Sequence, residues 1–157
     1  MKDLKRKVIK LIKSNIWLVL ATVDDHNIPN SSVMVYQSDG NLIVCQTGEN
    51  TLKANNIRNN EHVAVTIPIR KNFFHKLIPA PPAELYFTTR AEIRTKENKV
   101  ARKIYSKYMK HSDKRELPQD YIWICINIPN KISTYGIAVP LLKMRDPMKA
   151  RKIVSLN

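Results

Sequence analysis

Residues 16 to 48 hold three strand-like segments in close succession, joined by turns too short to contain a helix. Parallel neighbours need a crossover of a dozen or more residues, so these strands must run antiparallel, and a doubly wound parallel sheet is excluded. The first segment, Ile16 to Val23 (IWLVLATV), is apolar without interruption and rich in β-branched residues, the pattern of a strand buried on both faces. After a turn over Asp24 to Pro29, Ser31 to Gln37 alternates Val33 and Val35 against Met34 and Tyr36. Ser38-Asp39-Gly40-Asn41 then signals a hairpin into Leu42 to Gln46.

The rest of the chain continues the theme. His62 to Ile69 is predicted as a strand with Val63, Val65, Ile67 and Ile69 on one face. Leu85 to Thr95 follows with Leu85, Phe87, Thr89, Ala91 and Ile93 inward, then Tyr121 to Ile128, and Ile132 to Gly136 as a seventh strand. Between them lie few helices. Leu4, Val8, Leu11 and Ile12 form the apolar stripe of an amphipathic helix over 3–14. Thr51 to Asn59 is a short helix capped by Asn50, and Lys96 to His111 is a third, with a stripe of Val100, Ile104 and Tyr108 flanked by Ala101 and Tyr105. Asp146-Pro147 opens a last helix over 147–154. Pro68, Pro79, Pro81 and Pro82 mark residues 70–83 as a loop, and 112–119 is a polar loop. The expected fold is mainly β: one domain over 1–157, a six- to seven-stranded antiparallel barrel whose closure hides its sheet edges.

The charge raises a question of partner. The formal net charge is +14, with six basic and one acidic residue in the first twenty positions, and twelve and four over 71–115. A basic barrel that binds nucleic acid is therefore a rival reading. Against it, no helix-turn-helix, RNP or zinc pattern is present, and the cations fall on helices instead of interleaving with strand aromatics. No apolar run approaches the length of a membrane helix and no signal-peptide pattern opens the chain, so no membrane association and a cytoplasmic location are expected. Cys45 and Cys125 lie in apolar strands with no CxxC or Cys/His cluster, and the four histidines lack ligand spacing. Free core thiols and no protein-bound metal are expected. Three glycines cannot write a GxGxxG turn or a Walker loop.

One segment suggests chemistry. Cys45 to Lys53 (CQTGENTLK) leaves a strand, turns at Gly48 and enters a helix with Lys53 in its first turn. A cation there opposes the helix dipole, whereas a bound anion would reverse the sign. First-turn amides, the Thr47 and Thr51 hydroxyls and the Lys53 ammonium together suit a phosphate. A capping Thr51 beside a solvated Lys53 is the other reading of the same residues.

Residues 18–67 (LATVDDHNIPNSSVMVYQSDGNLIVCQTGENTLKANNIRNNEHVAVTI) resemble the flavin-binding split-barrel family typified by pyridoxamine 5′-phosphate oxidase, in the strand–turn–strand–hairpin order followed by T-x-x-x-T-x-K-A-x-N-I-R-x-N and a V-A-V strand. The likeness continues more loosely through Tyr86 to Ile93 and the last strands. It implies a split barrel of FMN-binding type and an FMN-binding protein, an oxidoreductase on a small-molecule substrate that the sequence does not identify, with a cofactor-storing or sensing protein without turnover as the alternative. It further implies a homodimer with the cofactor between subunits. The phosphate or ribityl chain falls to Thr47, Gly48, Thr51, Leu52 and Lys53, and the ring to Ser32 and the backbone of Val33, Met34 and Val35. Leu52 stands where the oxidases usually carry an arginine. Ser31 and Ser32 lie near another arginine position, Tyr36 near a lysine and Glu84 at a glutamine, which leaves room for a deazaflavin, haem or no cofactor. Arg58, Arg70 or Lys71 can supply charge from elsewhere. No R-x-H triplet exists, so the vitamin oxidase activity itself is not expected. No proton-transfer residue is assigned. Phe73 and Phe74 are candidate interface or ring contacts, and Trp17 and Trp123 are expected in the core.

Overall fold

The computed structural model describes residues 2–69, 82–109 and 120–156. The elements are α1 (Lys2–Ser14), β1 (Trp17–Val23), β2 (Pro29–Ser38), β3 (Leu42–Gly48), α2 (Leu52–Asn59), β4 (His62–Ile69), β5 (Ala83–Arg94), α3 (Lys99–Met109), β6 (Tyr121–Asn127), β7 (Lys131–Tyr135), α4 (Pro147–Ala150) and β8 (Arg151–Ser155). A 3₁₀ turn over Leu141–Arg145 precedes α4. Every strand pairing is antiparallel, and the order β4-β1-β2-β3-β6-β5 closes on itself through β4–β5 to make a six-stranded barrel. β7 and β8 extend one sheet beyond β5.

Two strands are long enough to change partners part-way. Pro29 to Val35 of β2 pair with β1, while Tyr36 to Ser38 pair with β3. β5 pairs with β4 over Ala83 to Arg90, with β7 over Glu84 to Tyr86 and with β6 over Ala91 to Arg94. The inward residues of all these strands form one core that includes Leu18, Leu20, Tyr36, Ile67, Leu85 and Ile126. α1 adds Val8 and Ile12 to it, and Tyr36 Oη donates to Ile12 O at 2.8 Å, tying helix to barrel. Burial pushes the Tyr36 phenol well above its ordinary pKa. α3 lies against a second, smaller cluster on the other face of β3 and β6, built from Val44, Ala101, Ile104, Tyr105, Trp123 and Cys125. Tyr105 and Tyr121 each pack against Trp123 with ring centroids 5.0 Å apart.

Several expectations need correction. The closed barrel has six strands, as expected, and β8 is an eighth strand among the described residues that the sequence reading had placed in a helix. The predicted 147–154 helix ends after one turn at Ala150, and Arg151–Ser155 pairs with β7 as β8. Asp146 does cap that turn, accepting from the Met148 amide, with Pro147 at its first position. β1 is not buried on both faces: its pattern alternates, and Trp17 is 51% exposed, so of the two tryptophans only Trp123 is in the core. Val100 is exposed and the buried stripe of α3 runs through Ala101, Ile104 and Tyr105, one residue further on; the side chain of Tyr108 lies outside the described residues. Thr51, not Asn50, is the cap residue of α2. Thr89 and Ile93 of β5 are half-buried, because the strand leaves β4 there and bends toward β6. The expected loops over 70–83 and 112–119 fall almost wholly outside the described residues.

Cys45 and Cys125 are free and buried. The register sets Cys125 opposite Val44 and Cys45 opposite Ile124, so the two thiols point to opposite faces of the β3–β6 pair, Cys45 into the main core and Cys125 toward α3. Burial pushes the Cys125 thiol up to about 11, with Arg94 opposing and Glu92 adding to the rise, and burial raises Cys45 further. An acid whose folded pKa is raised stabilises fully below its unfolded value and loses that contribution as pH climbs toward the folded one. Denaturant melts from pH 8 to pH 11 should therefore show stability falling above pH 9, by less in Cys125→Ala than in the unaltered protein. A thiol reagent at pH 8 should label both cysteines only after unfolding.

Candidate functional site

The corner where β3 passes into α2 is held from three sides. β3 stays paired with β6 to its last residue, Gly48 opposite Tyr121, and the Glu49 amide donates to Asp120 O at 3.0 Å. Thr51 Oγ1 donates to Gly48 O at 3.0 Å, and the Thr47 and Thr51 hydroxyl oxygens lie 3.2 Å apart. Arg58 reaches back from the last turn of α2, its Nη1 donating to Glu49 O at 3.0 Å and to Asn55 Oδ1 at 2.8 Å, and its Nη2 lies 3.8 Å from Glu49 Oε1. The helix is seated by Ala54 and Ile57 in the core and by Asn56, whose Nδ2 donates to Thr22 Oγ1 at 3.0 Å between two side chains almost out of water.

That framework leaves specific groups free. Thr51 takes an extended conformation at the cap position, yet its side chain makes no capping bond to the helix, because its hydroxyl turns back to Gly48 O. An α-helix begins with amides that have no partner within it. The Thr51 amide donates to Gly48 O and the Asn55 amide to Thr51 O, so the amides of Leu52, Lys53 and Ala54 are left without an acceptor among the described residues. Lys53 is half-buried beside them and pairs with no carboxylate among those residues. Donors, a positive dipole end and an uncompensated cation converge where an anion is the missing complement. A Cβ at Gly48 would approach no atom closer than Thr51 Cγ2 at 3.5 Å, an ordinary contact; that glycine keeps the corner open without being required by the backbone. Leu52 is exposed and apolar at the first helical position.

A second feature arises from the partner change in β2. Over residues 29–35 that strand pairs with β1 alone, and β3 joins only at Tyr36, so the barrel wall is split between them. The Tyr36 amide donates to Ile16 O on the β1 side. Backbone groups alternate sides along a strand, so Val33 and Val35 turn their amides and carbonyls into the split, while those of Ser32 and Met34 face β1. Their side chains alternate the other way: Met34 is in the core and Val33 is 66% exposed on the outer face. The fold thus groups Thr47, Gly48, Thr51, Leu52 and Lys53 at one corner and sets Ser32 to Val35 along the split, with Met34 and Ser32 offering no outward backbone groups. Glu84 is half-buried on β5 opposite Pro68 and Tyr135. Arg70, Lys71, Phe73 and Phe74 lie outside the described residues. No group of three His, Cys, Asp or Glu able to hold a metal exists among the described residues, and no helix there is long and apolar enough to cross a membrane.

The Asn56–Thr22 bond, on which the seating of α2 depends, escaped the sequence reading. Asparagine inside a short helix was its only signal, since its partner lies 34 residues away.

The chain is a split antiparallel barrel with two added strands, and the family comparison agrees with that fold. Residues 4–130 match the family model described as pyridoxamine 5′-phosphate oxidase, and the chain belongs to that family. No curated protein matches the chain by sequence. Among solved structures it is similar to General Stress Protein 26 from Bacillus anthracis str. Sterne, with 23% identity, 98% of each chain covered and a TM-score of 0.65. It is also similar to HutZ, the heme storage protein from Vibrio cholerae, at 17% identity over 85% of this chain and 96% of that one, with a TM-score of 0.67. An F420 reductase aligns at 20% identity over 75% and 90%, with a TM-score of 0.58. At these identities the likeness is one of fold.

Removing the anchor of α2 tests how the corner is held. Asn56→Ala leaves the Thr22 hydroxyl buried without a partner and should lower stability by about 1–3 kcal/mol in denaturant titrations, with Thr22→Val/Asn56→Leu recovering part of the loss.

Proposed function

We propose that the chain binds FMN, with its phosphate at the β3–α2 corner and its ring along the split beside β2, and works as an oxidoreductase on a small-molecule substrate. The observation that carries this reading is the trio of acceptor-free amides on Leu52, Lys53 and Ala54, set beside the Thr47–Thr51 hydroxyl pair and the uncompensated Lys53. A phosphate monoester supplies the acceptors those donors lack and the charge that reverses the unfavourable placement of Lys53. Thr47 can turn its hydroxyl to an anion at the cost of its contact with Thr51, and Thr51 can do so at the further cost of its bond to Gly48 O. The turn at 48–51 stays fixed meanwhile, because Arg58 holds Glu49 O. The outward amides and carbonyls of Val33 and Val35 suit the polar edge of a ring. Bound flavin would supply hydride and electron transfer; the protein binds it, orients it and excludes water. The chain shares its fold with a heme storage protein and an F420 reductase, which makes haem and F420 the ligands to set against FMN.

A homodimer belongs to the same proposal. Trp17, Val19, Val33 and Val35 share the outer face of β1 and β2, with Trp17 opposite Val35 and Val19 opposite Val33. Trp17 and Val33 are exposed there and Val19 and Val35 half-buried, and burial against a second copy would account for this apolar face.

Titration with FMN, followed by flavin fluorescence, should give saturable binding, with affinity at least tenfold weaker in Thr51→Ala/Lys53→Ala. Unchanged affinity in the double variant rejects the corner as the phosphate site, and binding of F420 or haem in place of FMN reassigns the ligand. In sedimentation velocity, Val33→Glu should convert a dimer to monomer without loss of strand content.

A further inference from the structure

The sheet does not end in a protected edge. β8 is its last strand, and no other strand of the described chain pairs with its far side. The Gly136 amide donates to Ala150 O and the Leu156 amide to Asn130 O, which fixes the alternation. Residues 150, 152, 154 and 156 face β7, so Arg151, Ile153 and Ser155 turn their amides and carbonyls outward. Beside this edge is a cavity of about 680 Å³ lined by Lys152, Ile153, Val154 and Ser155 and, from α1, by Lys2, Leu4 and Lys5. Side chains alternate faces along a strand, so a cavity that touches four successive residues runs along the strand's edge and not over one of its faces.

The lining is one-sided in charge. Among the described residues Lys2, Lys5 and Lys152 border it, no carboxylate does, and none of the three lysines forms an ion pair. Lysines along an edge deter pairing between two copies of this chain, because like charges would be brought together. The same lysines favour a strand of opposite charge. We propose that the groove between β8 and α1 binds an acidic, extended peptide segment of a partner protein, which adds to the sheet as a ninth strand. Backbone bonds to Arg151, Ile153 and Ser155 would hold it, and its carboxylates would meet Lys2, Lys5 and Lys152. Leu4 and the exposed side chain of Ile153 offer apolar contact between the charges. This site is separate from the β3–α2 corner and does not depend on the flavin reading.

The test uses the full chain and a fluorescein-labelled octapeptide of alternating Glu and Val, read by fluorescence anisotropy, with the Lys/Val counterpart and an octaglutamate as comparisons. The expected result is saturable binding of the Glu/Val peptide, at least tenfold tighter than either comparison. Ile153→Pro removes one outward amide and no bond to β7, a substitution an edge strand tolerates, and should weaken binding at least tenfold. Lys5→Glu/Lys152→Glu should do the same without disturbing β8, and hydrogen exchange at Arg151, Ile153 and Ser155 should slow when peptide is bound. Equal binding of octaglutamate, unchanged exchange at those amides, or full binding by both variants overturns the proposal. So does dodecanoate that binds the groove and displaces the peptide tenfold more effectively than free Glu/Val peptide does, because the site would then belong to an acyl anion.

Discussion

β2 and β5 each belong to two sheets, and the rest of the structure depends on that. A ten-residue and a twelve-residue strand are long enough to pair with one neighbour and then another, so two twisted sheets become a closed barrel without any parallel crossover. Closure brings Leu20, Ile67, Leu85 and Ile126 from four different strands into one core. It also has a geometric consequence: where β2 leaves β1's company for β3, the wall must part. The split, with its outward backbone groups at Val33 and Val35, is therefore produced by the same partner change that builds the barrel.

The β3–α2 corner has a comparable origin. β3 is held by β6 up to Gly48, and α2 is held by its buried residues and by Asn56 on Thr22. The chain between them has three residues, 49–51, to reverse direction, and within that turn the Thr51 hydroxyl is taken by Gly48 O and does not cap the helix. The free amides follow from this arrangement. A capping bond from Thr51 to the helix would have satisfied one of them; the backward bond leaves the helix start polar, positive and open. Local stability is given up at that point, and an anion is the group that would restore it.

The strands whose neighbours are sequential were legible from the chain. β4 shows strict alternation, His62 to Ile69, and its bounds and inward face coincide with the sequence reading because both its edges are paired and one face meets the core. The turn residues Asp24 and Asp39 act locally, each accepting backbone amides within its own turn, which is why the early meander could be read. β8 was not legible. Asp146-Pro147 is a sound helix start, and Met, Lys, Ala and Arg continue a helix well, but pairing with β7 some twenty residues earlier ends it after one turn. The offset of α3 by one residue has the same character: its facing partners, Val44, Trp123 and Cys125, are all distant in sequence. At the corner, Thr51 and Lys53 were legible as residue types and the first-turn amides as those any helix start leaves, whereas the turn of the Thr51 hydroxyl back to Gly48 O was not.

β1 is the most instructive discrepancy. Its sequence reads as a strand covered on both faces, yet in the folded chain Trp17 is exposed and its neighbours Val19 and Ala21 are only half-buried on the outer face. A pattern of hydrophobicity records the environment in which a strand functions, and the environment of a lone chain is only part of that. Elsewhere in the barrel the outer faces carry polar side chains: β4 places His62 and Thr66 outward, and β5 places Thr88 and Arg90 there. Had the outer face of β1 evolved for water, polar side chains would be expected there too, since exposed valine and tryptophan gain nothing in stability and favour association. The sequence of β1 and the exposure of Val33 opposite it thus make a single argument. The face that reads as buried and the face that is incompletely covered are the same surface, and the proposed second copy would reconcile them.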